Sequence, residues 1–403
     1  MTETMITYKE AMQAVLNQAC RYGEELVLLK DAGGRVLAEN IYADRDFPPY
    51  DRATKDGIAI RFESFQGGRK DFEIESVVPA GEPLTALRET EHCVEIMTGA
   101  VVPMDTDTVV MYEEIDIAHQ VATLKTKPVK GQNIHRRGSD LKKGDILITE
   151  NSRITPAEIG ILASVGCEQV KVRKLPKVAI ISTGNELVEV GQTPLPHQIR
   201  KSNAHTLYAA LRNEGITPLL LHVYDDVDMI RQKLQYAIEE MDVLLLSGGV
   251  SKGKYDFIPG IMKDLGVEKI FHRVLQQPGK PFWFGSRKAS NTQVFSFPGN
   301  PVSTFVNYHL YFKNWLRLSL GVPGEELEVV LTENMDIKGT LTKFIQVKTY
   351  WDSGCLKARI VHGNGSGDLA SLAQTDGFIC LEPREEAYKQ GTAVRFVPTR
   401  TLH

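Results

Sequence analysis

The sequence predicts a multidomain α/β protein. A doubly wound, mostly parallel sheet should occupy its middle, with a β-rich region before it and a small β-barrel after it. Three observations lead there. Between residues 176 and 326, runs of Val, Ile and Leu alternate with stretches of helical period. Strands apolar on both faces belong to parallel sheets covered by helices on either side. Three of those runs end in glycine-rich, polar segments: "STGNE" (182–186), "SGGVSKGKYD" (247–256) and "FPGNPVS" (297–303). Outside this block the texture changes to short β-prone runs punctuated by Gly and Pro.

At 403 residues the chain exceeds what one hydrophobic core supports. Its formal charge of −4 lacks the basic excess of a general nucleic-acid binder. No apolar run approaches the roughly 20 residues of a membrane span, and the polar start "MTETMITYKE" does not resemble a secretory leader. The 5 cysteines are scattered with no CxxC pair, which fits reduced thiols and a cytoplasmic setting. With no HExxH either, a structural zinc site is not expected.

Taken in order, "TYKEAMQAVLNQACRY" (7–22) reads as an amphipathic helix, with Thr7 and Glu10 as a capping box. Short β runs such as "DFEIESVV", "TVVMYEEI" and "VATLKT" fill residues 26–150. In "TPAEIGILASVG" (155–166), Thr155 stands at N-cap, Pro156 at N1 and Gly166 at the stop. The alternating block follows: strands at "KVAIISTG", "TPLLLHVYDD" and "DVLLLSGG", each followed by a helix, then strands at "FWFGS" and "TQVFSFPG" and a long closing helix. Pro259 belongs in the first turn of its helix. From about 327, "KFIQVKTYW", "CLKARIVH", "GFICLE" and "AVRFVP" suggest the barrel. The expected domains are 1–175 (helical and linker parts 1–45 and 146–175 around a β-rich subdomain 46–145), 176–326 and 327–403.

Ligands of open α/β sheets collect beyond the carboxyl ends of the strands. Glycines there let a ligand approach main-chain N–H groups, which bind anions together with helix N-termini. The candidates for substrate contact at the exits are Thr183, Gly184, Ser247, Gly248, Gly249, Ser251, Pro298, Gly299, Asn300, Pro301 and Ser303. No GxxxxGK[ST] and no βα-opening GxGxxG is present, against a P-loop NTPase or a dinucleotide-binding oxidoreductase. Glu186, Asp225, Asp226 and Asp256 lie at the same edge. Asp226 and Asp256 suit helix caps, and Glu186, Asp226 and Asp256 also suit a hydrated Mg²⁺ bridging a phosphate.

"DGIAI", "IMTGAVVP", "GQNIHRRGSD", "STGNEL", "SGGVSKGKYDF", "PGKP" and "FPGNPVS" stand in the order of the MoeA-type molybdopterin molybdenumtransferases. The chain resembles that family, and gephyrin-type E domains, from about residue 7 to residue 398. The resemblance implies an Mg²⁺-dependent enzyme of molybdenum cofactor biosynthesis. Such an enzyme takes adenylyl-molybdopterin and molybdate, inserts molybdenum and releases AMP. It also implies a homodimer whose active site joins one subunit's α/β domain to the other's N-terminal β segment, and contact with the molybdopterin adenylyltransferase; no nucleic acid or membrane partner is implied. It carries functional roles onto Asp56, Thr98, Asp140, Glu186, Asp226, Asp256, Lys280 and Ser303. Arg136 and Arg137 suit phosphate, and Ser366 or Ser371 matches a serine from the C-terminal domain. The alternatives are the sibling reaction, adenylylation of molybdopterin with ATP, and a non-catalytic scaffold of the same fold.

The chain departs from that pattern. Gln277 stands where a lysine is usual, Gln346 where an arginine is usual, and Lys55 where a methionine commonly precedes the Asp of the "DG" motif. Charge-assisted hydrogen bonds are about twice as strong as neutral ones. Two amides for two cations therefore predict weaker oxyanion binding, unless Lys348, Lys252, Lys254 or Lys55 compensates.

Overall fold

The computed structural model describes residues 5–249, 257–324 and 326–401. Ser251, Lys252, Lys254 and Asp256 lie outside the described residues.

The central sheet has six strands in the order Leu219–Val223, Val178–Thr183, Val243–Ser247, Thr292–Phe297, Trp283–Arg287, Glu268–His272. The first four run parallel and the last two join antiparallel, so the sheet is mixed at one edge. The continuous apolar runs read as buried strands because they are covered twice. Val178, Ile180, Val243 and Leu245 face Leu207, Leu211, Val306 and Trp315 of one helical layer. The intervening Ala179, Ile181, Leu244 and Leu246 face Ile230, Leu234, Ile261 and Met262 of the other. Pro259 does lie in the first turn of its helix, Ile258–Asp264. The long closing helix is interrupted. An α-helical segment, Pro301–Asn307, passes through a π-helical turn, Tyr308–Phe312, into Lys313–Ser319.

The first helix covers only Tyr8–Leu16, with the Thr7–Glu10 capping box formed. It packs under the central sheet through Tyr8, Ala11 and Val15, and the Tyr8 ring meets Phe344 of the last domain at 5.0 Å. The β-rich region is a six-stranded mixed sheet, Gly57–Ile60, Cys93–Ile96 and Asp71–Val78 among its strands. A separate small core joins the antiparallel pair Glu24–Leu28 and Gln169–Arg173 to the helix Pro156–Ser164, which has its own capping box. At the C-terminal end Thr342–Asp352, Cys355–Ile360, Leu327–Leu331, Ala393–Pro398 and Gly377–Leu381 close into a five-stranded barrel. The two-residue strand Gln276–Gln277 of the α/β domain adds to that barrel in parallel with Thr342–Asp352.

Candidate functional site: a glycine rim and an adjoining cation pocket

The chain forms Val178–Thr183 first, Leu219–Val223 on one side of it, then Val243–Ser247 on the other. Strand order therefore reverses between Val178–Thr183 and Val243–Ser247, and the crevice above such a reversal is where α/β sheets bind ligands. A cavity of about 280 Å³ opens there. Ser182, Thr183 and Glu186 come from the first exit, Ser247 and Gly248 from the second, and Gly299, Asn300 and Pro301 from the third.

The glycines answer a steric demand. Gly248 has φ +97° and Gly249 φ +71°. A Cβ on Gly248 would sit 2.9 Å from the Thr183 hydroxyl, and one on Gly249 would sit 2.2 Å from Ile258 Cδ1. Gly184, at φ +129°, leaves room for the Glu186 carboxylate folded back over it.

The other wall of the crevice is Arg200, Lys201, Ser202, Asn203 and Ala204, where the helix Ser202–Asn213 begins. Lys201 at its N-cap provides no side-chain cap, and the first-turn residues Ser202, Asn203 and Ala204 line the cavity, so a helix N-terminus of the kind that suits phosphate borders it. Asn203 ties the exits together: its amide donates to Ser247 Oγ at 2.8 Å and to the Gly299 carbonyl at 2.7 Å. Sequence reasoning missed these residues. The one available signal was the basic pair of "QIRKSN" directly before a helix.

A second, larger cavity of about 590 Å³ lies between the α/β domain and the barrel. Gln277, Lys280, Asn300 and Ser303 line it from one side, and Lys343, Gln346, Gly363 and Ser366 from the other. Its charged lining residues are Lys280 and Lys343; no carboxylate among the described residues lines it. Asn300 lines both cavities, and its amide donates to Ser366 Oγ at 2.8 Å, so the barrel loop meets the rim where the cavities adjoin. Ser371 is buried; its one hydroxyl proton is shared between Gln346 Oε1 at 3.0 Å and the Asp368 carbonyl at 2.8 Å.

The segment bearing Gln277 and Lys280 is held from below. Buried Gln276 donates to Asn307 Oδ1 and to the Pro278 carbonyl, each at 2.9 Å, and accepts from the Tyr311 hydroxyl. These three residues also escaped sequence reasoning, because they meet across separations of 31 and 35 residues that no local motif encodes.

The remaining acidic candidates divide. Asp226 caps the helix Val227–Glu240, accepting from Met229 N at 2.8 Å, and does not line the cavity. Pro298 lines the larger cavity. Among the described residues no group of three His, Cys, Asp or Glu is gathered as a metal site.

The N-terminal candidates make their own local pairings, and none lines either cavity. The Asp56 carboxylate accepts from Thr98 N and Thr98 Oγ, both at 2.6 Å, and these bonds hold it below the usual carboxylate range. Asp140 is likewise lowered, first by the His135 ring at 2.8 Å. Arg136 pairs with Asp51 at 2.6 Å and Arg137 with Asp46 at 2.8 Å.

Comparison with known proteins covers the same ground. Residues 6–166 match the "MoeA N-terminal region (domain I and II)", residues 179–317 the "Probable molybdopterin binding domain" and residues 328–399 the "MoeA C-terminal region (domain IV)". A molybdopterin molybdenumtransferase of Synechocystis sp. is 35% identical over 396 residues, 97% of this chain and 99% of that one. One of Bacillus subtilis is 33% identical, covering 98% of this chain and 95% of its own. The crystal structure of a molybdopterin biosynthesis MoeA protein from Pyrococcus horikosii superposes with a TM-score of 0.83 at 28% identity, over 99% of this chain and 100% of that one. Full-length relatives, three matched regions in order and the same architecture agree: this chain belongs to the MoeA family of molybdopterin molybdenumtransferases.

Proposed function

We infer that the chain transfers molybdenum from molybdate into adenylyl-molybdopterin and releases AMP. The observation that carries this reading is the contiguity of two differently built cavities through Asn300. The rim offers glycine backbone, hydroxyls and a helix N-terminus, which suit phosphates. The adjoining cavity offers two ammonium groups and, among the described residues, no acid, which suits an oxyanion. A substrate bridging them would present its dithiolene end to molybdate while its adenylyl phosphates rest on the rim.

In this reading Ser247, Thr183 and the N–H groups at Ser202–Ala204 orient the phosphates. Lys280 and Ser303 hold the oxyanion, and Asn300 with Ser366 fixes the distance between the ends. Holding both reactants in one geometry supplies much of the acceleration such transfers need. The Glu186 carboxylate beside the rim hydroxyls is a hard-oxygen set that fits Mg²⁺ shared with substrate phosphates. That ion, when bound, neutralises phosphate charge. Glu186 would hold it; Asp226, engaged as a cap, would hold the helix.

We extend the proposal to a homodimer in which Asp56, Thr98, Asp140, Arg136 and Arg137 of one subunit face the rim of the other. What supports this is that these residues stand on segments joined through the short strand Arg52–Ala53, and that none of them lines its own chain's two cavities. Contact with the adenylyltransferase and a cytoplasmic location accord with the reading. Among the described residues no helix is long and apolar enough to cross a membrane.

The test is AMP release from adenylyl-molybdopterin, with and without molybdate and Mg²⁺. Release that depends on both is expected. Adenylylation of molybdopterin from ATP, with no molybdate-dependent release, would refute the reading.

A further inference from the structure

The larger cavity holds two ammonium groups contributed by different domains. Lys280 stands on the loop Gly279–Lys280 of the α/β domain, and Lys343 on the barrel strand Thr342–Asp352. We propose that Lys343 is the second oxyanion-binding cation of this chain and sets its oxyanion affinity, with Gln277 as its positioning residue. This rests on the oxyanion reading of that cavity.

Position puts Lys343 there. Thr342 and Phe344 are buried, and side chains alternate along a strand, so Lys343 leaves the barrel core on the opposite face. The short parallel ladder pairs Gln276 with Thr342 and Gln277 with Lys343. Residues paired across a ladder are side-chain neighbours, and Lys343 Nζ donates to Gln277 Oε1. Among the described residues Lys343 makes no ion pair. Its charge is therefore directed by an amide and neutralised by nothing in the cavity wall.

Gln277 gains a defined role from the same bond. Its amide oxygen is taken by the ammonium, which leaves the NH₂ as the end of the amide that a ligand can use. Gln346 is oriented in the same sense: its oxygen accepts from Ser371 at 3.0 Å and Thr375 at 2.8 Å, while its amide nitrogen faces Gly363. Both amide oxygens are engaged, so what Gln277 and Gln346 offer a ligand in the cavity they line is an N–H donor, as an oxyanion needs. Lys348, two residues beyond Gln346, is exposed and does not line the cavity.

Charge at one member of the 277/343 pair should be exchangeable with charge at the other. Two lysines there would repel across the ladder, whereas Lys–Gln in either order keeps one ammonium over the same cavity. Titrating molybdate into the full chain, and separately AMP, tests this by calorimetry. Lys343→Gln should weaken molybdate binding about tenfold or more, the scale of one charge-assisted contact. AMP binding, which belongs to the rim, should stay within about twofold of wild type. Lys343→Arg should retain most of the affinity, and the exchanged variant Gln277→Lys with Lys343→Gln should regain it. Unchanged molybdate affinity in Lys343→Gln would overturn the assignment. A parallel loss of molybdate and AMP binding that Lys343→Arg does not repair would also overturn it, as a structural effect. Failure of the wild-type chain to bind molybdate at all would count instead against the functional reading on which the assignment rests.

Discussion

His309 shows how one residue can write a pH dependence into the whole α/β domain. It lies in the π-helical turn, buried, and neither ring nitrogen has a hydrogen-bond partner among the described residues. Desolvation, reinforced by the Lys313 charge, pushes its pKa down to about 3 from 6.5. A ring kept neutral in the fold but free to protonate once unfolded favours the native state fully above about pH 6.5. That contribution is lost as pH falls toward 3, at up to about 1.4 kcal/mol per pH unit. Urea unfolding followed by emission of the buried Trp283 and Trp315 should therefore show a steeper loss of stability between pH 6.5 and 4.5 in wild type than in His309→Gln. Equal slopes would mean the ring does not titrate on unfolding.

Among the elements, the segment Gln276–Lys280 links residues deep in the domain to the cation pocket. Gly279 has φ +91°, and a Cβ there would lie 2.4 Å from Asn307 Oδ1 and 2.7 Å from Gln276 Nε2. Gly279→Ala should thus break the Gln276–Asn307 bond as well as strain the backbone. The expected cost is about 2–4 kcal/mol of stability, because a buried polar pair loses its partner. Molybdate affinity should fall with it, since Lys280 follows directly. Thermal unfolding together with molybdate titration measures both; a variant as stable as wild type would show that the loop has slack. The helix caps at Thr7 and Thr155 were legible beforehand because a cap depends only on residues within one turn. The extent of the first helix was not. "NQACRY" continues the apolar period, but Asn17 ends the helix and the chain turns to meet Trp315, whose indole donates to the Gln18 carbonyl at 3.0 Å.

At the scale of the molecule, the proposed site needs two chains. Asp56→Ala and Glu186→Ala should each lack AMP-releasing activity as homodimers. Refolded or co-expressed together, they should recover about a quarter of wild-type activity, because half the dimers are mixed and each mixed dimer has one intact site. Absence of recovery, with mixed dimers verified by mass, would place the complete site within one chain.

The sequence by itself determined the doubly wound sheet, the glycine rim and the barrel. Each depends on local pattern: continuous apolar runs, residues that tolerate positive φ, and alternation between turns. The glycine-rich exits pointed to Ser303 and Glu186 and the family resemblance to Lys280, and all three line the cavities. Only the tertiary structure decided which other residues join them. Asn203 reaches the rim because two strand exits, at Ser247 and Gly299, converge on one helix start. Lys343 meets Gln277 because a two-residue strand from one domain enters the barrel of another, in a register that brings together positions 66 residues apart. Such a pairing depends on where whole domains pack, and no spacing along the chain encodes it.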